Sequence, residues 1–186
     1  MPYRLHGLDH TGGELDGDAY GDISCFRQVP VIDDEGFVLS ESAAIALYLA
    51  EKSGRLIPPD FQGRTRVTQW CFAALATVEL PLAQLQMLDN FGKGDAQLRV
   101  WLVAWAERVL GNLEGRLDGR EWIACAGFTA ADLLMAAVLR EIRKTDLLDR
   151  YPAVQAFYGR AFARPAWSRT LEAYAQRHGV EVASIR

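Results

Sequence analysis

Cysteine is scarce in this 186-residue chain: Cys25, Cys71 and Cys125 are widely spaced, odd in number and in no CxxC pair. That argues against a disulfide framework or a zinc site and fits a reducing compartment. A large excess of charge of one sign is lacking too. A formal net charge of −4 gives no electrostatic reason to expect nucleic acid or an anionic membrane as a partner. No apolar run approaches the roughly 18–20 residues of a membrane span, and neither a leader pattern, a repeat nor a low-complexity tract is visible. What is present is ordinary globular composition, 50% apolar and 24% charged. It suits one compact unit or two small packed domains in a soluble, cytoplasmic protein.

The most informative stretch is residues 28–54. Val29–Val31 and Phe37–Leu39 are short β-prone runs separated by Asp33-Asp34-Glu35-Gly36, which predicts a hairpin with a glycine-ended turn. Ser40-Glu41-Ser42 follows where a helix should start. Ala44, Ile45, Leu47, Tyr48 and Leu49 then recur at near-helical spacing, and Gly54 stops the run. A helix N-terminus leaves backbone N–H groups unpaired and carries roughly half a positive charge, so a carboxylate or phosphate can dock there. Ser42 adds a hydroxyl, and Glu41 an acceptor for an ammonium group; one amino-acid end satisfies both. The same Ser-Glu-Ser also reads as a plain helix cap. Pro30 interrupts a strand-like run, and a sharp turn there, a cis peptide being one route, exposes the backbone of Val29 to a ligand.

Together the Val-Pro, the hairpin, the Glu-Ser pair and the Ala-Ile-x-x-Tyr-Leu run resemble the end of the thioredoxin-like domain of bacterial-type glutathione transferases. The resemblance implies that Val29, beside cis Pro30, pairs with the backbone of the glutathione cysteine. It implies that Glu41 and Ser42 hold the γ-glutamyl end and that Gln28 helps. Where the family usually has Asn-Pro-x-Gly, this chain has Ser24-Cys25-Phe26-Arg27.

Upstream, residues 3–8 alternate in the manner of a short strand, and residues 9–22, rich in Gly and Asp, read as a loop with at most a weak helical turn. His6 and His10 are four apart with no third ligand close, so no metal site is read there. The family has a first strand and helix before the segment that resembles Tyr3–Asp9, and the loop between them carries the Ser, Tyr or Cys that stabilises the glutathione thiolate. Such a unit needs roughly 20 residues, and only Met1 and Pro2 are available. The expectation is that it is missing and that no catalytic residue is assignable. Cys25, the nearest thiol in sequence, reads as a loop residue before it reads as a substitute.

Residues 55–63 form a Pro-rich link, and the rest predicts helices. Residues 64–90 carry Val67, Trp70, Cys71, Leu75, Val78, Leu82 and Leu85 at spacings of three and four, with a kink at Pro81. Residues 96–118 repeat the pattern after a turn at 90–95. In the family this helix pair meets a second subunit and lines the electrophile pocket; Trp70, Trp101 and Trp105 read first as packing. Thr129 is an N-cap with Asp132 three later, a variant capping box opening a helix over 128–144, and Phe128 and Leu133 are spaced as a hydrophobic staple. The family has this Phe-Thr-x-Ala-Asp motif in a folding role, which makes Asp132 structural. Tyr151-Pro152 and Arg164-Pro165 open two more helices.

The resemblance runs over residues 3–175, strongest at 28–58 and 127–167. It implies an α/β plus all-α protein: a truncated thioredoxin-like, glutathione-binding part at 1–54, a linker at 55–63 and an all-helical part at 64–186. It implies glutathione as co-substrate, no cofactor, a small apolar electrophile as the other substrate and a homodimer. Two alternatives stand beside a conjugating enzyme: a non-catalytic ligand- or protein-binding relative, and an N-terminally shortened form of an active enzyme.

Overall fold

The computed structural model describes residues 1–9, 12–91 and 95–185. A single helical turn, α1 (Asp18–Gly21), precedes an antiparallel hairpin of β1 (Val31–Asp34) and β2 (Phe37–Ser40), paired from Val31↔Ser40 to Asp34↔Phe37. The turn is Glu35-Gly36, with φ of 56° and 90°. Positive φ at both central residues is what a two-residue hairpin turn needs to match the strand twist. Asp33 and Asp34 therefore belong to β1, not to a four-residue turn as the composition suggested. Asp33 still accepts the Gly36 N–H at 2.8 Å.

Asp34 fastens the hairpin to α2 (Ser42–Ser53), accepting from Tyr48 Oη at 2.6 Å and from Lys52 Nζ. The bond from Lys52, then that from Tyr48, holds its carboxyl below the usual carboxylate range. Phe37 packs on the Tyr48 ring. Gly54, in the left-handed conformation at φ 63°, ends α2 as the sequence predicts.

Residues 3–8 are not a strand. They run without regular structure and largely exposed, because among the described residues the sheet has two strands and neither lies against them. The loop over 9–22 holds only a 3₁₀ turn at Glu14–Asp16 and α1. His10 lies outside the described residues.

After Gly54 the regular elements among the described residues are all helices. Asp60 caps α3 (Phe61–Ala73), accepting the Gly63 N–H at 2.7 Å. The helix runs through a π turn at Ala74–Val78 into α4 (Glu79–Phe91). The irregularity in the helix is this π turn, which lies just before Pro81. Pro81 has no N–H to give the carbonyl four residues back, and a widened turn relieves the clash of its ring with that carbonyl. The combined helix, 61–91, is long and apolar enough to cross a membrane by length and composition, which corrects the reading that no such run exists. One face of it packs into the core, contributing Val67, Cys71, Ala74, Val78, Leu82 and Leu85 to the interior, while Phe72, Leu80 and Met87 face outward.

Three of the residues expected to turn between the long helices, 92–94, lie outside the described residues. Asp95 then caps α5 (Ala96–Leu117) through the Gln97 N–H at 2.9 Å. The buried centre is α6 (Ala130–Leu139), which continues as a 3₁₀ turn at Arg140–Ile142. Pro152 and Pro165 open α7 (Pro152–Phe162) and α8 (Pro165–His178), and a last turn is α9 (Val182–Ile185). One core, with Leu82, Leu110, Met135 and Phe157 fully enclosed, takes in α3 to α7 and reaches Ala50 of α2. The Leu56 carbonyl accepts the Ala130 N–H at 2.9 Å, tying the link to α6.

The capping box forms as expected. The fully buried Asp132 accepts from the Thr129 N–H at 2.8 Å, the Thr129 hydroxyl at 2.7 Å and, beyond the box, the Ile123 N–H at 2.7 Å. Its structural role is that of a hub joining the 118–128 loop to α6. The staple differs: Leu133 stays 45% exposed, while Phe128 packs edge-on against Trp122, ring centroids 4.9 Å apart, and carries the Arg164 guanidinium over its ring at 3.8 Å. Trp70 and Trp105 pack against the core. Trp101, 55% exposed, does not; it meets Trp105 edge to face, ring centroids 5.1 Å apart.

Candidate functional site

Four hydrophobic or small residues on one face of α2 dock it against the helical core, and that docking places its first turn beside the loop leading into β1. The loop enters β1 through a cis Val29–Pro30 bond. Between loop and helix lies a cleft of about 130 Å³ lined by Ser24, Phe26, Gln28, Val29, Pro30, Ser40, Glu41 and Ser42. All five site residues expected from the sequence, Gln28, Val29, Pro30, Glu41 and Ser42, meet there.

Capping is not what Ser40-Glu41-Ser42 does. No side chain caps α2, and the N–H groups of Ser42, Ala43 and Ala44 take no partner among the described residues. Glu41 itself occupies the N-cap position at φ 72° and ψ 117°. A non-glycine residue held there costs about 1–3 kcal/mol, a cost that clusters at ligand sites. The arrangement offers three complementary features within one cleft. Unpaired N–H groups and the helix dipole attract an anion, the Ser42 hydroxyl can donate to it, and the Glu41 carboxylate suits an adjacent cation.

Val29 contributes its main chain. It is 60% exposed, and among the described residues neither its N–H nor its C=O has a hydrogen-bond partner. The loop beneath it is fixed instead through Gln28, whose carbonyl accepts from Tyr20 Oη at 2.9 Å and Ser24 Oγ at 3.1 Å. Ser24, Phe26 and Ser40 were not among the residues expected at the cleft. Ser24 was legible only as a departure from Asn-Pro-x-Gly; Ser40 is carried in by its pairing with Val31. Cys25 is exposed and does not line the cleft.

A second, more open groove of about 310 Å³ runs between α4 and α5, lined by Gln84, Met87, Leu88, Phe91, Leu98 and Leu102. Among the described residues no group of three His, Cys, Asp or Glu side chains is placed to hold a metal ion.

Residues 80–165 match the model of the glutathione S-transferase C-terminal domain family. A glutathione transferase from Burkholderia graminis, solved with two glutathione molecules bound per subunit, superposes with a TM-score of 0.83 at 30% identity. The match covers 91% of this chain and 77% of that one. A glutathione transferase family member from Pseudomonas fluorescens, with two glutathione bound, gives 0.84 at 28% identity, covering 91% and 81%. Glutathione S-transferase D7 of Drosophila melanogaster is 29% identical over 158 residues, 80% of this chain and 68% of that protein. The architecture is accordingly α/β plus all-α. The thioredoxin-like part is truncated, among the described residues, to a hairpin and the helix after it, and an all-helical C-terminal part follows.

Proposed function

The chain belongs to the glutathione transferase family, and from that premise we propose that the cleft between residues 24–30 and the start of α2 is a glutathione half-site. The γ-glutamyl carboxylate docks on the uncapped N-terminus of α2 and the Ser42 hydroxyl, its ammonium faces Glu41, the cysteinyl main chain pairs with Val29 beside cis Pro30, and Gln28 flanks it. The observation that carries this reading is the convergence of unpaired helix N–H groups, a carboxylate and an unpaired strand-like backbone in one cleft. A zwitterion joined to a peptide is the ligand chemistry that uses all three. Isothermal calorimetry tests it: glutathione binds, and Ser42→Ala weakens binding by roughly 0.5–1.5 kcal/mol, the net value of one hydrogen bond. No heat at millimolar glutathione refutes the half-site.

The reaction in this reading is attack of the glutathione sulfur on a small apolar electrophile, in a cytoplasmic protein with the division 1–54, 55–63 and 64–186. None of the described residues lining the cleft is cationic. A thiol with an ordinary pKa near 8.5 leaves roughly 3% thiolate at pH 7, so conjugation of generic aromatic electrophiles is slow. A ligand-binding role without turnover is the second reading, and the same lining favours it. Robust turnover beside a lowered thiol pKa, read from thiolate absorbance against pH, decides for the enzyme.

The apolar groove between α4 and α5 and the outward Met87, Phe91, Leu98 and Trp101 support a two-fold homodimer through these helices. Sedimentation at micromolar concentration gives twice the chain mass if this is so, and the monomer mass if it is not.

A further inference from the structure

The peptide that precedes Val29 is fastened from below by two hydroxyls. Tyr20, buried on α1, donates to the Gln28 carbonyl at 2.9 Å. Ser24, buried in the lining of the cleft, donates to the same carbonyl at 3.1 Å and accepts the Gln28 N–H at 3.2 Å. Arg27, at φ 53°, anchors the loop on its other side, donating to the carbonyls of Asp16 and, at 2.6 Å, Gly17. The polar groups of the Gln28 backbone are thus spent inward, while those of Val29 are left free.

A planar trans peptide points its C=O and its N–H in opposite directions. The Gln28 C=O and the Val29 N–H belong to one such plane. Holding the first inward aims the second outward, into the cleft that Val29 lines.

We propose that Tyr20 and Ser24 are positioning residues that aim the Val29 N–H at a main-chain carbonyl of the cysteinyl part of the bound thiol peptide. The inference rests on the glutathione reading of the cleft. It deepens that reading by assigning the cysteinyl contact to a hydroxyl pair, and Tyr20 itself does not border the cleft. The γ-glutamyl end, held at Glu41 and Ser42 on a different element, is independent of this pair.

The test compares glutathione with γ-glutamylmethylamide, which has the γ-glutamyl end and no cysteinyl carbonyl, by calorimetry on the full chain. Tyr20→Phe keeps the buried ring and removes only the hydroxyl. It weakens glutathione roughly two- to tenfold, the effect of one net hydrogen bond, and leaves γ-glutamylmethylamide within about twofold. Ser24→Ala does the same and Ser24→Thr, which keeps a hydroxyl, restores binding. As a second readout, bound glutathione slows hydrogen exchange of the Val29 amide in the wild type and slows it less in Tyr20→Phe. Equal loss for both ligands, or unchanged glutathione affinity and Val29 exchange in Tyr20→Phe, overturns the positioning role while leaving the half-site standing. A wild type that binds neither ligand overturns the half-site itself, and the positioning role with it.

Discussion

Asp132 is the residue whose loss should cost the fold most per atom removed. Its carboxylate, with 0% exposure, is the acceptor for three donors: the N–H groups of Ile123 and Thr129 and the Thr129 hydroxyl. Asp132→Ala strands all three in the core. Each stranded donor costs about 1–3 kcal/mol, and the lost cap alone about 1 kcal/mol. Water entering the vacated space offsets part of this, so the total falls to about 3–5 kcal/mol, the lower part of what three stranded donors would cost. A typical domain has about 5–15 kcal/mol in all. Asp132→Asn keeps one oxygen acceptor and turns an NH₂ toward a donor, and should cost about 1–3 kcal/mol.

The pH dependence of that difference has a definite sign. Burial pushes the Asp132 carboxyl above its ordinary value of 3.8, against the opposing pull of the Ile123 and Thr129 bonds. An acid whose folded pKa exceeds its unfolded one binds its proton more tightly when folded. Its contribution is then fully present below about 3.8 and shrinks as pH rises through the folded value. The stability gap between wild type and Asp132→Asn should therefore be wider at pH 4 than at pH 7. Urea unfolding followed by far-UV circular dichroism, with unchanged m-values as the check on two-state behaviour, measures both quantities. An Asp132→Ala variant within 1 kcal/mol of wild type refutes the hub assignment. A gap that widens with rising pH refutes burial as the dominant influence on the carboxyl.

Two further outcomes follow from the same geometry. Glu114 on α5 caps α7 from a distance, accepting the Ala153 and Val154 N–H groups at 3.0 Å each; Glu114→Ala should lower stability by about 1–2 kcal/mol and Glu114→Gln by less, read as shifts of the urea midpoint. Burial pushes the Cys71 thiol up to about 11, and Cys125 is raised for the same reason. A thiol reagent at pH 8 should therefore label exposed Cys25 first, Cys125 more slowly and Cys71 only on unfolding; prompt native-state labelling of Cys71, located by peptide mass, contradicts this.

Local chemistry was readable wherever it is decided by neighbours in sequence. The capping box at Thr129 and Asp132 is such a case, as are the Gly54 stop and the prolines at 152 and 165, because caps and fixed φ angles are satisfied within one helical turn. The same holds for the grouping of Gln28 and Val29 with Glu41 and Ser42, since a hairpin only four residues to a strand returns the chain to its start. Tertiary structure decided what depends on distant partners. Residues 3–8 alternate as a strand does, yet a strand exists only if another lies beside it, and among the described residues none does. Trp101 and Leu133 have core chemistry and helical spacing, but which side of a helix faces inward is set by the helices packed against it. Whether Ser40-Glu41-Ser42 caps α2 or leaves its N–H groups free turned on the backbone of Glu41 at φ 72°. Glu41 sits where β2 ends and α2 begins, and residue types alone do not encode that angle.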